Sequence, residues 1–459
     1  ASASSISEGR RRATTSTMSA GARSVEYKPV SVMPGRGSGL ASGNSVLDWR
    51  VMLPLWSVLP FVAMLLAIAV CPLWVSHWWE SNRNKLAVSL ALGFPVLVFY
   101  LGRHPGVLLH TTEEYVSFMI LLAGLYVISG GLRLTGDIEA TPLTNTTFLA
   151  IGAVLASFIG TTGASMLLIR ALLETNSERR RVTHTVVFFI FVVSNIGGML
   201  TPLGDPPLFL GYLQGVPFVW TFRLWPPWLA MVALLLAVYF VWDSVAHARE
   251  PMAAIRLDRA RLEPLRVLGL LNLVWLGGVL VAVAFLREPW REAAIVASAA
   301  LSLWRTPRGI RSANGFTAGP MVEVAVLFLG IFLTMIPALE LLRLRGGELG
   351  VREPWHFFWA AGGLSSFLDN APTYLTFLAL GQGLGLANEV VGIPHTILAA
   401  ISIGSVAMGA NTYIGNAPNF MVKAIAEKAG VKMPSFFGYM LYSGGVLIPL
   451  FVAVSLVFF

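Results

Sequence analysis

The stretch Ser194-Asn195-Ile196-Gly197-Gly198-Met199-Leu200-Thr201-Pro202-Leu203-Gly204-Asp205-Pro206-Pro207 lies between two apolar runs, Val186 to Val193 and Leu208 to Trp220. Pro has no amide donor and Gly is a poor helix former, so a helix entering this stretch unwinds. With so much apolar chain on either side, the break falls at about mid-depth of a membrane span. Irregular backbone at that depth is tolerated only where protein buries it or a water-filled cavity meets it. A bare charge in hydrocarbon is expensive, which makes Asp205 a candidate functional residue.

The same pattern returns later in the chain. Gly409 to Phe420 aligns without gaps on Gly198 to Phe209, an offset of 211 (409 − 198), with Gly, Thr, Gly, Pro and Phe in register. Interrupted apolar segments at matching positions of two halves point to the binding site of a secondary transporter. Chance similarity between two Gly/Pro-rich loops is the bland alternative, and a second matching pair upstream argues against it.

Composition agrees. The 459 residues are 56% hydrophobic and only 12% charged, and mean hydropathy is +0.71. A soluble globule carries about a quarter of charged residues, so this is a polytopic membrane protein. The single Cys71 excludes a disulfide framework. The net charge of +8 does not suggest nucleic acid, because the Arg residues lie mostly between apolar segments, where they set topology. No HExxH pair and no GxxxxGK[ST] loop is present, and the latter argues against an ATP-driven pump.

In chain order, residues 1–50 are Ser/Gly/Arg-rich and read as a disordered basic tail, with a transit leader as the minor alternative. A span needs about 20 apolar residues. Spans are expected near 51–76, 86–102 and 115–132, followed by a polar stretch in which Asp137 and Glu139 are solvated. Thr146 to Leu173, broken at Gly160-Thr161-Thr162-Gly163-Ala164-Ser165, is expected to form a re-entrant hairpin with its tip at Thr161-Thr162. A broken span over 185–220 and a closing span over 225–243 end a first transmembrane repeat, 51–265. The second, inverted repeat, 266–459, has spans near 266–286, 291–304 and 321–342 and a hairpin over 355–384 broken at Ser365 to Thr373. A broken span over 395–428 and a last span over 436–459 complete it. The expected fold is thus all-α, with two inverted-topology repeats of three spans, a re-entrant hairpin, a broken helix and a closing span.

The basic loops 178–184, 244–265 and 305–311, with Lys423, Lys428 and Lys432, fall on one side and should be cytoplasmic. The first hairpin then enters from the cytoplasm and the second from outside, as inverted repeats require. The same count puts the basic tail outside, against the rule, a conflict that a removed leader or a miscounted early span would resolve.

Four breaks should converge near the midplane. Residues 145–169, 185–222 and 355–422 contain no Lys or Arg, and their carboxylates are Asp205, Asp369 and the loop residue Glu389. The candidate site therefore holds Asp205 and Asp369 among Thr161, Thr162, Ser165, Asn195, Thr201, Asn370, Thr373, Asn411, Thr412 and Asn416. Gly197, Gly204 and Gly415 are expected where a side chain would crowd a ligand while sparing the fold. Such a site suits a small hard cation, which takes oxygen ligands, and sodium held by Asp205 and Asp369 is the leading expectation. It also suits protons, since burial favours a neutral acid and a bound cation favours the carboxylate. Bland readings exist for each residue. Asp205 and Asp369 both precede helix starts and can serve as caps. Arg170 and the flanking Trp residues read as interface anchors, and Glu323 and Glu340 as solvated. The repeat pairs Asp205 with Asn416 and Asn370 with Gly163, so the two acids are not repeat mates.

Three segments, Gly160 to Arg170, Ser194 to Pro207 and Leu368-Asp-Asn-Ala-Pro372, resemble the ion-transporter superfamily of arsenite permeases, NhaD-type sodium/proton antiporters and citrate or dicarboxylate carriers. The chain is most similar to the branch labelled for citrate transport or sodium:proton antiport, from about residue 50 onward. The resemblance implies inverted repeats, a scaffold that forms a homodimer and a transport part that moves. It also implies an integral protein of the bacterial inner (plasma) membrane, with no cofactor beyond a transported or coupling sodium ion and proton. Ion sites of the Ser-Asn-Thr type match loosely, as Ser194-Asn195-Ile196 and Asn411-Thr412.

Four functions compete, one of them a passive channel, which would not need hairpins from opposite sides. A cation/proton antiporter leads, because two acids and no Lys or Arg would repel a tricarboxylate. A sodium- or proton-coupled symporter of citrate or a dicarboxylate is the runner-up, its anion held by half-helix N-termini. An intramembrane aspartyl protease would also need two membrane Asp residues, but the repeat argues against it.

Overall fold

The computed structural model describes residues 53–459, and the expected basic tail, 1–50, lies outside the described residues. Helices dominate: α1 (Leu59–Trp74), α2 (Asn82–Arg103) and α3 (Pro105–Ser129) precede a short strand β1 (Arg133–Asp137). Then come α4 (Pro142–Ile159), α5 (Thr161–Thr175), α6 (Thr183–Val192), α7 (Pro206–Leu213), α8 (Trp225–His247) and α9 (Met252–Ala260). Strand β2 (Glu263–Leu268) leads to α10 (Leu271–Phe285), α11 (Trp290–Arg305), α12 (Gly319–Arg345), α13 (Pro354–Ser365) and α14 (Asn370–Gln382). The chain ends with α15 (His395–Met408), α16 (Ala417–Lys428) and α17 (Phe436–Phe458).

Local chemistry sets the boundaries. Pro occupies the first turn of α3, α4, α7, α12, α13 and α16, where its missing N–H is no loss. Thr141 caps α4 by accepting from the Thr144 N–H. Gly160, with φ of +81°, joins α4 to α5 in one residue, a conformation that costs other residues dearly.

Among the described residues, seven segments are long and apolar enough to cross a membrane: Leu55–Pro72, Asn82–Arg103, Pro105–Ser129, Pro142–Ile159, Phe218–His247, Gly319–Leu349 and Phe436–Phe458. This is an integral membrane protein. One expected span is shorter than the sequence suggests. The 266–286 segment holds only the 15 residues of α10, which rise about 22 Å against a hydrocarbon core of about 30 Å. α11, with 16 residues, covers the expected 291–304. The first part of the 266–286 segment is spent on β2 instead. That strand pairs antiparallel with β1, Arg133 opposite Leu268 and Thr135 opposite Arg266. The polar stretch read as a solvated loop is thus half of a ribbon, and Asp137 is half-buried, with its Oδ1 left without a hydrogen-bond partner. This ribbon is the only sheet among the described residues, and an isolated bridge joins Val390 to Ile393.

Every residue from Val186 to Val193 is fully buried. A helix apolar all round is surrounded by its neighbours, and α6 with the break that follows it occupies the centre of the protein rather than a lipid-facing position. Glu340, expected to be solvated, is buried as well, where its carboxylate accepts from the Tyr100 hydroxyl at 2.8 Å.

Two polar layers bracket this core. In the first, Thr183 donates to the Lys432 carbonyl, Glu178 pairs with Arg261, and Glu250 accepts the amides of Arg180 and Arg181. Asn314 donates to the carbonyls of Gly130 and Leu132 in the same layer. In the second, Arg343 donates to both Gln214 and Gln382, and Gln214 donates to Glu114. The α4–α5 hairpin has its base in the first layer, where Asn145 and Asn176 exchange hydrogen bonds of 2.9 and 2.8 Å. The α13–α14 hairpin has its base in the second.

Candidate functional site

Four helices begin at one place. α5 and α16 run from it to the first polar layer, and α7 and α14 run from it to the second. Asp205 stands at the start of α7, only 1% exposed. Its carboxylate does not cap its own helix. Instead it accepts from the other three helix starts. Thr161 Oγ1 donates to Oδ1 at 2.9 Å, Asn416 Nδ2 to Oδ1 at 3.1 Å and Asn370 Nδ2 to Oδ2 at 2.5 Å. Thr161 and Asn370 are the first residues of α5 and α14, so those two hold equivalent places, rather than Gly163 and Asn370.

The electrostatics are unusual. Each helix contributes a partial positive charge at its N-terminus, and four such ends surround one carboxylate. Among the described residues no Lys, Arg or His comes within 4.0 Å of it. One oxygen beside it remains open. Asn370 Oδ1, on the amide that donates to Asp205, is buried without a hydrogen-bond partner. A hard cation could take Asp205 and that oxygen as ligands.

The remaining candidates divide into groups. Asn195 donates to the Ile190 carbonyl and to Asn419 Oδ1 at 2.7 Å, and accepts from Asn416 at 3.3 Å, so it ties the two breaks together. Ser165 and Ser194 share a hydrogen bond of 2.9 Å. Thr201 donates to the Ser157 carbonyl, and Thr412 to the Ser366 carbonyl, each stapling a break to the hairpin beside it. Asn411 donates to the Ser366 hydroxyl at 2.9 Å. Thr373 returns to the Asp369 carbonyl within its own helix. Thr162 is half-buried in the first turn of α5.

Asp369 behaves differently from Asp205. It is half-buried at the tip of the second hairpin and caps α14, accepting from the Ala371 N–H at 3.0 Å. The two acids thus have different hydrogen-bond partners, and among the described residues no group of three or more His, Cys, Asp or Glu is gathered to hold a metal ion.

The glycines pack against backbone. A Cβ on Gly204 would stand 2.1 Å from the Gly198 carbonyl oxygen, and one on Gly415 2.5 Å from the Gly409 oxygen. Gly197 meets the Val192 carbonyl in the same way, at 2.7 Å. They close the breaks on themselves rather than clearing room for a ligand. The same contact recurs 211 positions on (409 − 198 and 415 − 204).

The sequence reading overlooked Asn419, which donates to the Gly409 and Thr412 carbonyls at 2.9 Å each. It also overlooked Ser157 and Ser366. Asn419 had a signal, as a buried amide within the second break, but its repeat mate is the apolar Leu208. A further network lay outside every motif. Asp243, fully buried on α8, accepts from Arg179 at 2.6 and 3.1 Å, from Asn145 at 3.2 Å, and is 2.8 Å from His184 Nε2.

The family model described as "Putative citrate transport" matches residues 50–459. The chain belongs to that family. It is also similar to an uncharacterized transporter of Mycobacterium bovis, 26% identical over 411 residues, covering 82% of this chain and 94% of the relative. An uncharacterized transporter of Mycobacterium tuberculosis matches to the same extent. The protein is accordingly a membrane transporter rather than an enzyme.

Proposed function

We propose that this transporter exchanges a small cation, sodium foremost, for protons by alternating access, with Asp205 as the group that carries either ligand. One observation supports the reading above the others. A buried carboxylate is met by three neutral donors from three separate helix starts and, among the described residues, by no basic side chain. Burial disfavours a lone charge, so a proton or a cation must accompany Asp205 through most of the cycle. Because both bind the same oxygens, they compete, and that competition is what couples their movements.

The architecture suits this role. Taking 51–265 and 266–459 as two inverted repeats puts the hairpin bases on opposite sides and the four helix starts at the midplane, where such transporters bind. The first polar layer, with its excess of Arg and Lys, is then cytoplasmic. Both hairpins become re-entrant, and Asp369 and Thr373 at the second tip line the approach rather than the inner ligand shell. A homodimer in a bacterial inner membrane completes the reading.

Coupled uptake of citrate or a related carboxylate is the second reading. The four converging N-termini favour it, since helix starts attract anions, and so does the family description. In the first reading Asp205 is itself the anion they stabilise.

The test is competition. In proteoliposomes the apparent KM for external sodium should fall as external pH rises, because fewer protons contend for Asp205. A KM independent of pH would remove the reading.

A further inference from the structure

Between the outer ends of α5 and α16 and the turn at Gly315 lies a cleft of about 1050 Å³, at the upper end of the roughly 300–1,000 Å³ of small-molecule sites. Its walls carry five cations, Arg170, Arg179, Arg180, Lys428 and Lys432, against one acid, Glu174. Arg179 is neutralised by Asp243. The other four have no carboxylate within 4.0 Å among the described residues.

Part of this charge has a simple origin. Lys428 lies in the last turn of α16, where a cation offsets the helix dipole, and exposed basic residues in loops fix topology. Neither explanation reaches Arg170. It sits in the body of α5, half-buried, nine residues or about 13 Å from the helix start at Thr161. Its Nη1 is buried without a hydrogen-bond acceptor. Along one side it passes Gly315, where a Cβ would come within 3.6 Å of Nη2. Arg170 lines the basic cleft, and its Nη1 finds no acceptor among the described residues.

We infer that this cleft binds a polyanion bearing two or more carboxylate or phosphate groups, with Arg170 as the inner ligand and Arg180, Lys428 and Lys432 as the outer ones. A soluble metabolite and an anionic lipid headgroup present the same chemistry. The site is separate from Asp205 and does not depend on which ion is exchanged there.

The test uses the full chain in nanodiscs. In phosphatidylcholine alone, pyrophosphate and citrate are titrated by calorimetry; in a second arm phosphatidylglycerol is added and the melting temperature recorded. Saturable binding in the first arm identifies a soluble anion. A rise in melting temperature in the second arm alone identifies a lipid headgroup. In either case Arg170→Gln and the exposed Lys432→Gln should each weaken the effect about tenfold, the range of one charge-assisted hydrogen bond. Added salt should weaken it further. Asp205→Asn should leave it intact, which separates this site from the transport site. No effect in either arm, or an effect that survives both cleft substitutions, overturns the proposal.

Discussion

Asn416 donates to the carboxylate of Asp205 at 3.1 Å, across a sequence separation of 211. That separation is the repeat offset, so the two residues are counterparts that meet. Their backbones match too, with φ and ψ of −144° and 144° at Asp205 and −152° and 140° at Asn416, each at the start of a short helix carrying Pro in its first turn. One copy carries the charge and the other satisfies it. The asymmetry leaves one carboxylate between the two counterparts.

Asp205→Asn keeps the shape and removes the charge. We expect normal expression and loss of coupled exchange. Asp369→Asn should be far milder, because Asn caps a helix nearly as well as Asp. Cation-driven proton flux in both variants checks this. Equal loss in the two would put Asp369 in the inner shell after all.

Bulk at the breaks should damage the fold itself. The sequence suggested that a side chain at Gly204 or Gly415 would block a ligand and spare folding. The carbonyls of Gly198 and Gly409 stand too close for that. Gly204→Ala and Gly415→Ala should each cost about 1–3 kcal/mol, the range for overpacking. Gly444→Ala, in open space on α17, should be neutral or slightly stabilising. Melting temperatures in detergent decide between the two outcomes.

The buried pair of Arg179 with Asp243 of α8 predicts another loss. Arg179→Ala leaves Asp243 charged and unpaired by Arg in a dry site, at a cost of about 3–5 kcal/mol. Asp243→Asn in the same background should recover part of it. A thermal-stability cycle over the four combinations measures the coupling.

Asp137, on the ribbon at the first polar layer, gives a pH signature. Burial, with the nearby Glu178 carboxylate adding to it, raises its pKa from 3.8 to about 6. The folded state then holds the proton more tightly than the unfolded chain. Stability from this group is present at low pH and is lost as pH rises from about 3.8 through about 6. Asp137→Asn should therefore raise stability relative to the parent above pH 6, with the difference vanishing near pH 4. Melting curves of both proteins over that range check the sign.

Much of the site was legible in the chain. Gly and Pro inside apolar runs mark backbone breaks regardless of tertiary context, so the segments at Gly160, Ser194 to Pro207, Ser365 to Thr373 and Gly409 to Asn416 fell where expected. Which acid lies deepest was not legible. Asp205 and Asp369 both precede helix starts, and only packing makes one an acceptor for other helices and the other a cap. The β1–β2 ribbon was hidden because its strands are about 130 residues apart and too short for a clear alternation. Asn419 and the Arg179–Asp243 pair were missed for a related reason. Their partners are chosen in space, and hydrophobic periodicity says nothing of where a polar side chain finds one.

The most direct measurement follows proton movement itself. Proteoliposomes of the full chain, loaded with a pH-sensitive dye, receive a sodium pulse outside, followed in separate runs by lithium, potassium and citrate. Exchange through Asp205 predicts that sodium drives protons out and the interior turns alkaline, and that Asp205→Asn abolishes the change. Citrate accumulation with no proton movement on the sodium pulse would contradict it.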